Sequence, residues 1–171
     1  MLVATVVGSG IMAVNLSDDV GIQLTMNMLA TVLVLYLIIT IFGPISGAHF
    51  NPAVSLVFLI TKGISLPLFF LYLVVQTLGG IAGAVLANVM FEIPTTISTT
   101  ERFGLGTTVS ELVATIGLVL TILLLLKHNR SHVAVGVAAW IGAAYIFSSS
   151  TTCTGSILST FSSALYPPLA I

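Results

Sequence analysis

The stretch Gly43-Pro44-Ile45-Ser46-Gly47-Ala48-His49-Phe50-Asn51-Pro52-Ala53-Val54-Ser55 sets polar, helix-starting residues between two apolar runs. Asn51 can cap a helix, Pro52 suits the first helical position, and residues 53–60 can continue it as an apolar turn-and-a-half or more. The segment therefore reads as a short re-entrant half-helix whose positive end faces inward. Backbone left unwound at membrane depth is tolerated only where protein buries it or where it lines a water-filled cavity. A pore or substrate path follows as the leading expectation. The blander alternative is that Asn51 only caps a buried helix.

A membrane setting is required by the rest of the chain. Of its 171 residues, 57% are hydrophobic and 5% charged, against roughly 25% charge in an average soluble domain, and the mean hydropathy is +1.21. The fold expected is an all-α integral membrane protein of about five spans plus one half-helix. The apolar run before Asn15 is shorter than the roughly 20 residues a full crossing needs. It reads as a partial first span, 1–14, followed by the polar turn Asn15-Leu16-Ser17-Asp18-Asp19. A second span is expected over 20–42, then the break and the half-helix ending at Lys62-Gly63. A third follows over 65–91 with Pro67 near its start. A Thr-rich loop over 92–106 leads to a fourth span over 107–126, the linker Lys127 to His132, and a fifth span over 133–147. The remainder is Ser/Thr-rich, and Ser148 to Thr152 either line a pore mouth or satisfy unwound backbone.

Of the four Lys and Arg residues, Lys62, Lys127 and Arg130 fall on the inner side if the N-terminus is inside, and Arg102 falls outside, which favours that orientation. A cell membrane, plasma or bacterial inner, is the expected location. The net charge of −1 gives no reason to expect a nucleic-acid partner, and the single Cys153 cannot form an internal disulfide. There is no paired carboxylate, no nucleophile with an evident base and no phosphate loop, so no enzyme and no cofactor are expected. His49 has no second ligand at metal spacing and reads as a structural histidine, and no metal site is expected.

Val3-Ala4-Thr5 recurs as Val113-Ala114-Thr115, and the element order span, span, break, span is followed by span, span, break. Such a pattern divides the chain into a first repeat over 1–91 and an incomplete second repeat over 92–171. An odd number of spans per repeat inverts the second relative to the first and puts a shared path at their interface.

With these residues in view, the sequence Ser46-Gly47-Ala48-His49-Phe50-Asn51-Pro52-Ala53-Val54-Ser55 is similar to the first signature loop of the aquaporin, or major intrinsic protein, family. Gln76 with Gly79-Gly80-Ile81-Ala82-Gly83-Ala84 resembles that family's third helix, and Ser110 to Thr115 the start of its fourth. The resemblance covers residues 1 to about 152. It implies an inverted-repeat helix bundle with two half-helices, a homotetramer in lipid with one pore per subunit, and passage of water or small neutral solutes such as glycerol. Two departures stand out. No second Asn-Pro-Ala follows, its place falling near Gly155-Ser156-Ile157, and no Arg follows Arg130. The expectation is therefore of a chain truncated at both ends, with a degenerate second re-entrant loop and no sixth span.

The resemblance implies a path built from the Gly47, Ala48 and His49 carbonyls as acceptors, the Asn51 amide as donor, and Pro52 and Ala53 at the start of the half-helix. It implies selectivity positions at Thr31, Ala143, Thr152 and Leu158, none aromatic or cationic, which describes a constriction wider than a strict water filter. It gives Glu111 a loop-bracing role, Gln76 a structural one, and Gly79 and Gly83 a close helix contact of the small-xxx-small type. Two other readings compete with a passive channel. One is a non-conducting remnant of such a channel. The other is a secondary transporter with broken helices, for which the spans offer no acidic candidate apart from Glu111.

Overall fold

The computed structural model describes residues 1–94 and 105–148, and these are helical apart from short connections. Six α-helices follow in order: α1 (Leu2–Leu16), α2 (Val20–Ser46), α3 (Pro52–Ile60), α4 (Leu66–Met90), α5 (Leu105–His128) and α6 (Val133–Phe147), with a 3-10 turn over Arg130–His132. Four helical stretches are long and apolar enough to cross a bilayer: α2, α4, α5, and α6 with the turn before it. The protein is an integral membrane protein. At 15 residues, α1 rises only about 22 Å, short of a hydrocarbon core of roughly 30 Å.

The helices form an arc in the order α4, α1, α2, α6, α5, and α3 sits inside it, touching α4 on one flank and α5 on the other. The outward faces carry exposed Leu, Val, Ile and Phe along their length, as lipid requires. Helix ends are placed by local chemistry. Asp19 caps α2 by accepting the Ile22 N–H at 2.9 Å, and its own N–H donates to the Ser17 hydroxyl at 3.1 Å. The acidic turn between α1 and α2 is therefore a helix start. Pro67 lies in the first turn of α4, where its missing N–H costs nothing.

The buried residues of α2 are Gln23, Asn27, Thr31, Leu35 and Ile38, a stripe at helical spacing that is polar in its first half and apolar in its second. It faces α1 and α6. Lipid contributes no hydrophobic drive to helix association, so small residues set how closely backbones approach. The contact of α4 with α1 uses Gly80, Gly83, Ala84 and Ala87, all buried. A Cβ on Gly83 would lie 3.1 Å from Ala4 N and 3.1 Å from Val3 Cβ. Gly79, expected to share this role, does not: it is exposed, with nothing within 4 Å of its Cβ position. It directly precedes buried Gly80, and that single step along the helix turns it about 100° off the contact face.

The break between α2 and α3 is also narrower than the sequence suggests. Helix α2 runs through Pro44 to Ser46 instead of ending near Phe42. Pro44 forgoes one bond to the carbonyl four residues earlier, but it stands in the final turn, which Gly47 then closes in the left-handed conformation, its N–H donating to Gly43 O at 3.0 Å.

Candidate functional site

Only residues 47–51 connect α2 to α3 outside regular helix. The reversal is made by two successive left-handed residues, Gly47 at φ 73° and Ala48 at φ 52°. Glycine takes this region freely, whereas an alanine there costs about 1–2 kcal/mol and persists only because surrounding contacts over-determine it. The Phe50 N–H donates to Ala48 O at 3.0 Å and tightens the turn.

Asn51 then starts α3. Its Oδ1 accepts the Ala53 N–H at 2.8 Å, and its carbonyl accepts the Ser55 N–H at 3.0 Å and the Ser55 hydroxyl at 3.3 Å. Using Oδ1 as the cap fixes which end of the amide is free. The Nδ2 hydrogens have no acceptor among the described residues, and Asn51 lines a cavity of about 500 Å³.

The turn is held from behind by α4. The Gln76 side-chain amide donates from Nε2 to His49 O and to the Ser55 hydroxyl at 3.1 Å. One helical turn earlier, Tyr72 donates its hydroxyl to Ser46 O at 2.6 Å, satisfying one of the last carbonyls of α2. The His49 ring is buried between Phe58, at 4.5 Å between centroids, and Tyr72, at 4.9 Å. Histidine here works as an aromatic wedge that joins the turn to α3 and α4.

The cavity itself is walled by α2 (Leu35, Ile39, Pro44), α3 (Val54, Phe58), α5 (Leu118, Ile122, Leu126) and α6 (Val137, Ile141), and its lining also takes in Gly47, Ala48, Asn51, Arg130 and Ser131. Its walls are apolar and its polar groups are few. Arg130 is its one charged lining residue among those described.

Of the residues singled out from sequence, Gly47, Ala48 and Asn51 meet at this cavity, while His49, Pro52 and Ala53 do not line it. The His49 carbonyl points to Gln76 and its ring packs behind the turn. Thr31 is fully buried and away from the cavity. Its hydroxyl lies 2.9 Å from Asn27 O, 3.3 Å from Asn27 Oδ1 and 3.4 Å from the Tyr145 hydroxyl. Ala143 is exposed on α6, so Thr31 and Ala143 do not face one opening in this structure. Glu111 is half-buried in the second turn of α5. Thr152 and Leu158, with the loop that Glu111 was expected to brace, lie outside the described residues.

Several contributors escaped sequence reading. Tyr72 stands one turn before Gln76, which was already singled out, on an otherwise apolar helix, a spacing that could have marked a clamp. Asn27 could have been found the same way from its spacing with Gln23 and Thr31. Nothing local marks Phe58 as the partner of a histidine ring.

A family model described as major intrinsic protein matches residues 1–159. The Aquaglyceroporin AqpS of Rhizobium meliloti (strain 1021) is 45% identical over 153 residues, covering 89% of this chain and 66% of that protein. Aquaporin-8 of Rattus norvegicus is 47% identical over 75 residues, 44% of this chain and 26% of its own length. Aquaporin-5 of Homo sapiens is 50% identical over 42 residues, 25% of this chain and 16% of its own. The chain thus spans just under two thirds of the length of the Rhizobium relative and a smaller share of the others.

Proposed function

The chain belongs to the major intrinsic protein family, and on that premise we propose that it forms a passive membrane path for water and small neutral solutes such as glycerol, without catalysis or a cofactor. The observation that carries this reading is the Asn51 amide. Its oxygen is consumed by the Ala53 N–H at 2.8 Å, so its nitrogen is left to donate to an oxygen in the cavity. A passing hydroxyl exchanges a hydrogen bond with water for one with Asn51. The positive end of α3 at the same point opposes cations and protons.

The size of the cavity, about 500 Å³, supports admission of solutes larger than water, whose share of liquid volume is about 30 Å³. The similar Rhizobium protein carries the name aquaglyceroporin, which agrees with such a range. The same reading treats 1–91 and 92–171 as inverted repeats, sets the N-terminus inside with Lys62, Lys127 and Arg130 on that face, and has the protein work as a homotetramer in a cell membrane.

Stopped-flow light scattering on proteoliposomes, with sucrose and then glycerol gradients, tests it. Wild-type vesicles are expected to shrink faster than empty ones in sucrose and to re-swell faster in glycerol. Asn51→Ser keeps a capping oxygen but has no amide donor, so it should retain thermal stability while losing several-fold in permeability. Asn51→Ala loses the cap as well, a cost of about 1 kcal/mol. Vesicles with confirmed insertion but the rates of empty liposomes would reject conduction and leave the non-conducting remnant.

A further inference from the structure

The rim of the cavity carries a feature that passage of neutral solutes does not use. Arg130 is exposed at the mouth and lines the cavity, and its guanidinium makes no hydrogen bond or ion pair with another described residue. The chain crosses so that the end of α5, the 3-10 turn and the start of α6 share one face, where Lys127, His128 and His132 are also exposed. The described acidic residues lie towards the other face: Asp18 and Asp19 between α1 and α2, Glu92 after α4, and Glu111 in the second turn of α5. The first turn of α6, with Val133 and Ala134 on the cavity wall, adds the positive end of a 15-residue helix to the same mouth. Beyond this cationic rim most of the lining is apolar, Leu35, Ile39, Leu118, Ile122, Val137 and Ile141 among it.

The geometry points to a binding site for a single-chain amphiphile with a carboxylate head, a fatty-acid-like anion. Its carboxylate pairs with the planar fork of Arg130 and its chain enters the apolar cavity between α2, α5 and α6. Each half of the site selects against other ligands. A small inorganic anion gains the guanidinium but leaves the apolar wall wet. A neutral chain gains the burial of its methylenes but has nothing for Arg130. A cationic chain meets like charge from Arg130 and Lys127. A two-chain phospholipid would leave one chain outside a cavity of about 500 Å³. Arginine suits this role better than lysine because it holds a carboxylate through two parallel N–H bonds. A ligand seated this way occupies the cavity that Arg130 and Asn51 both line, so where the path conducts, its binding closes the path. That last consequence rests on the proposed function, whereas the site does not.

The test uses the full chain in nanodiscs of zwitterionic lipid, with 11-dansylaminoundecanoate as a fluorescent probe and empty nanodiscs as the partition control. Saturable probe binding is expected, displaced by dodecanoate at a concentration at least tenfold below that needed for dodecanol, with dodecyltrimethylammonium weakest. Arg130→Gln should bring dodecanoate and dodecanol within about twofold of each other. Ile122→Trp, which fills the cavity and leaves the rim, should weaken both together, with its melting temperature measured to show that it folds. Binding no greater than in empty nanodiscs, equal displacement by dodecanoate and dodecanol, or an unchanged ratio in Arg130→Gln would each overturn the site. In proteoliposomes that conduct, saturating dodecanoate should slow glycerol entry at least severalfold, and undiminished flux would overturn its position in the cavity. If the vesicles do not conduct at all, the binding arm still decides the site and only the channel reading fails.

Discussion

Replacing Gly117 by Ala tests the seam between α5 and α6, two of the helices that wall the cavity. A Cβ at position 117 would lie 1.8 Å from Trp140 Cζ2, 2.4 Å from Cη2 and 2.5 Å from Cε2. Carbon atoms rest at about 3.5 Å or more, so the indole must retreat by well over about 1 Å. It is not free to do so, because its Nε1–H donates to Ala114 O at 2.9 Å, one turn along the same helix. Overpacking of this kind costs about 1–3 kcal/mol. An indole N–H stranded from its acceptor adds about 1–3 kcal/mol, and the helix preference of Ala over Gly returns roughly 0.5–1 kcal/mol. The net expectation is a loss of about 2–4 kcal/mol, or roughly 5–15 °C in melting temperature for a chain of this length. Trp140 is the only tryptophan, so its emission reports its own displacement and should shift in wavelength. Gly136→Ala is the matched comparison: its Cβ would meet Leu125 Cδ1 at 2.3 Å, but the next nearest atoms lie at 3.5 and 3.7 Å. A terminal methyl of leucine can rotate aside, so the loss there should stay below about 1 kcal/mol. Thermal unfolding in micelles, followed by Trp emission and by size-exclusion recovery, measures both. Equal melting temperatures for the two variants, or a Gly117→Ala protein with wild-type emission, would refute the seating of the indole on α5.

The remaining expectations concern the turn and the α1 contact. Gln76→Leu removes the donor shared by His49 O and Ser55 Oγ, and should cost about 1–3 kcal/mol and reduce solute flux, read by melting and stopped-flow; wild-type values in both would show that α4 does not brace the turn. Gly83→Ala should lower the melting temperature because its methyl meets the α1 backbone at 3.1 Å, whereas Gly79→Ala, with open space, should raise it slightly. A reversed order would place the contact face on the Gly79 side. Ala48→Gly should match or exceed wild type in thermal stability, and Ala48→Val should fall below it, since φ is 52° there. A more stable valine variant would mean that residue 48 is not left-handed in the membrane.

Much of the site was legible because its chemistry is local. Asn51 followed by Pro52 marks a helix start whatever surrounds it, and the capping bond to Ala53 spans two residues. The apolar runs announced their helices through length alone, and the linker ahead of α6 through its charges. Helix α2 outruns the apolar stretch that ends at Phe42 because Gly47, in the left-handed conformation, closes the final turn beyond Pro44. Gly79 and Gly83 could not be told apart, since which side of a small-residue stripe meets a neighbour depends on the rotation of the whole helix. Thr31 illustrates the same gap. Its place one turn from Asn27 is written in the sequence, but whether its hydroxyl faces a path or a buried asparagine depends on how α2 rolls against α6.

The sequence by itself determined that this chain lives in a membrane, that a short helix begins at Asn51 within it, and that the family's first loop is present. These properties rest on hydropathy, capping and backbone restriction, which act over a few residues. Only the tertiary structure decided that Gln76 and Tyr72 clamp the turn from behind, that His49 is a wedge and not a wall of the cavity, and that Arg130 lines the same cavity as Asn51. Those arrangements join residues 9 to 79 positions apart, and the sequence carries no local cost or gain that records them. They arise when helices with no hydrophobic reason to prefer one face over another in lipid settle on the rotation at which small residues meet and buried polar groups find partners.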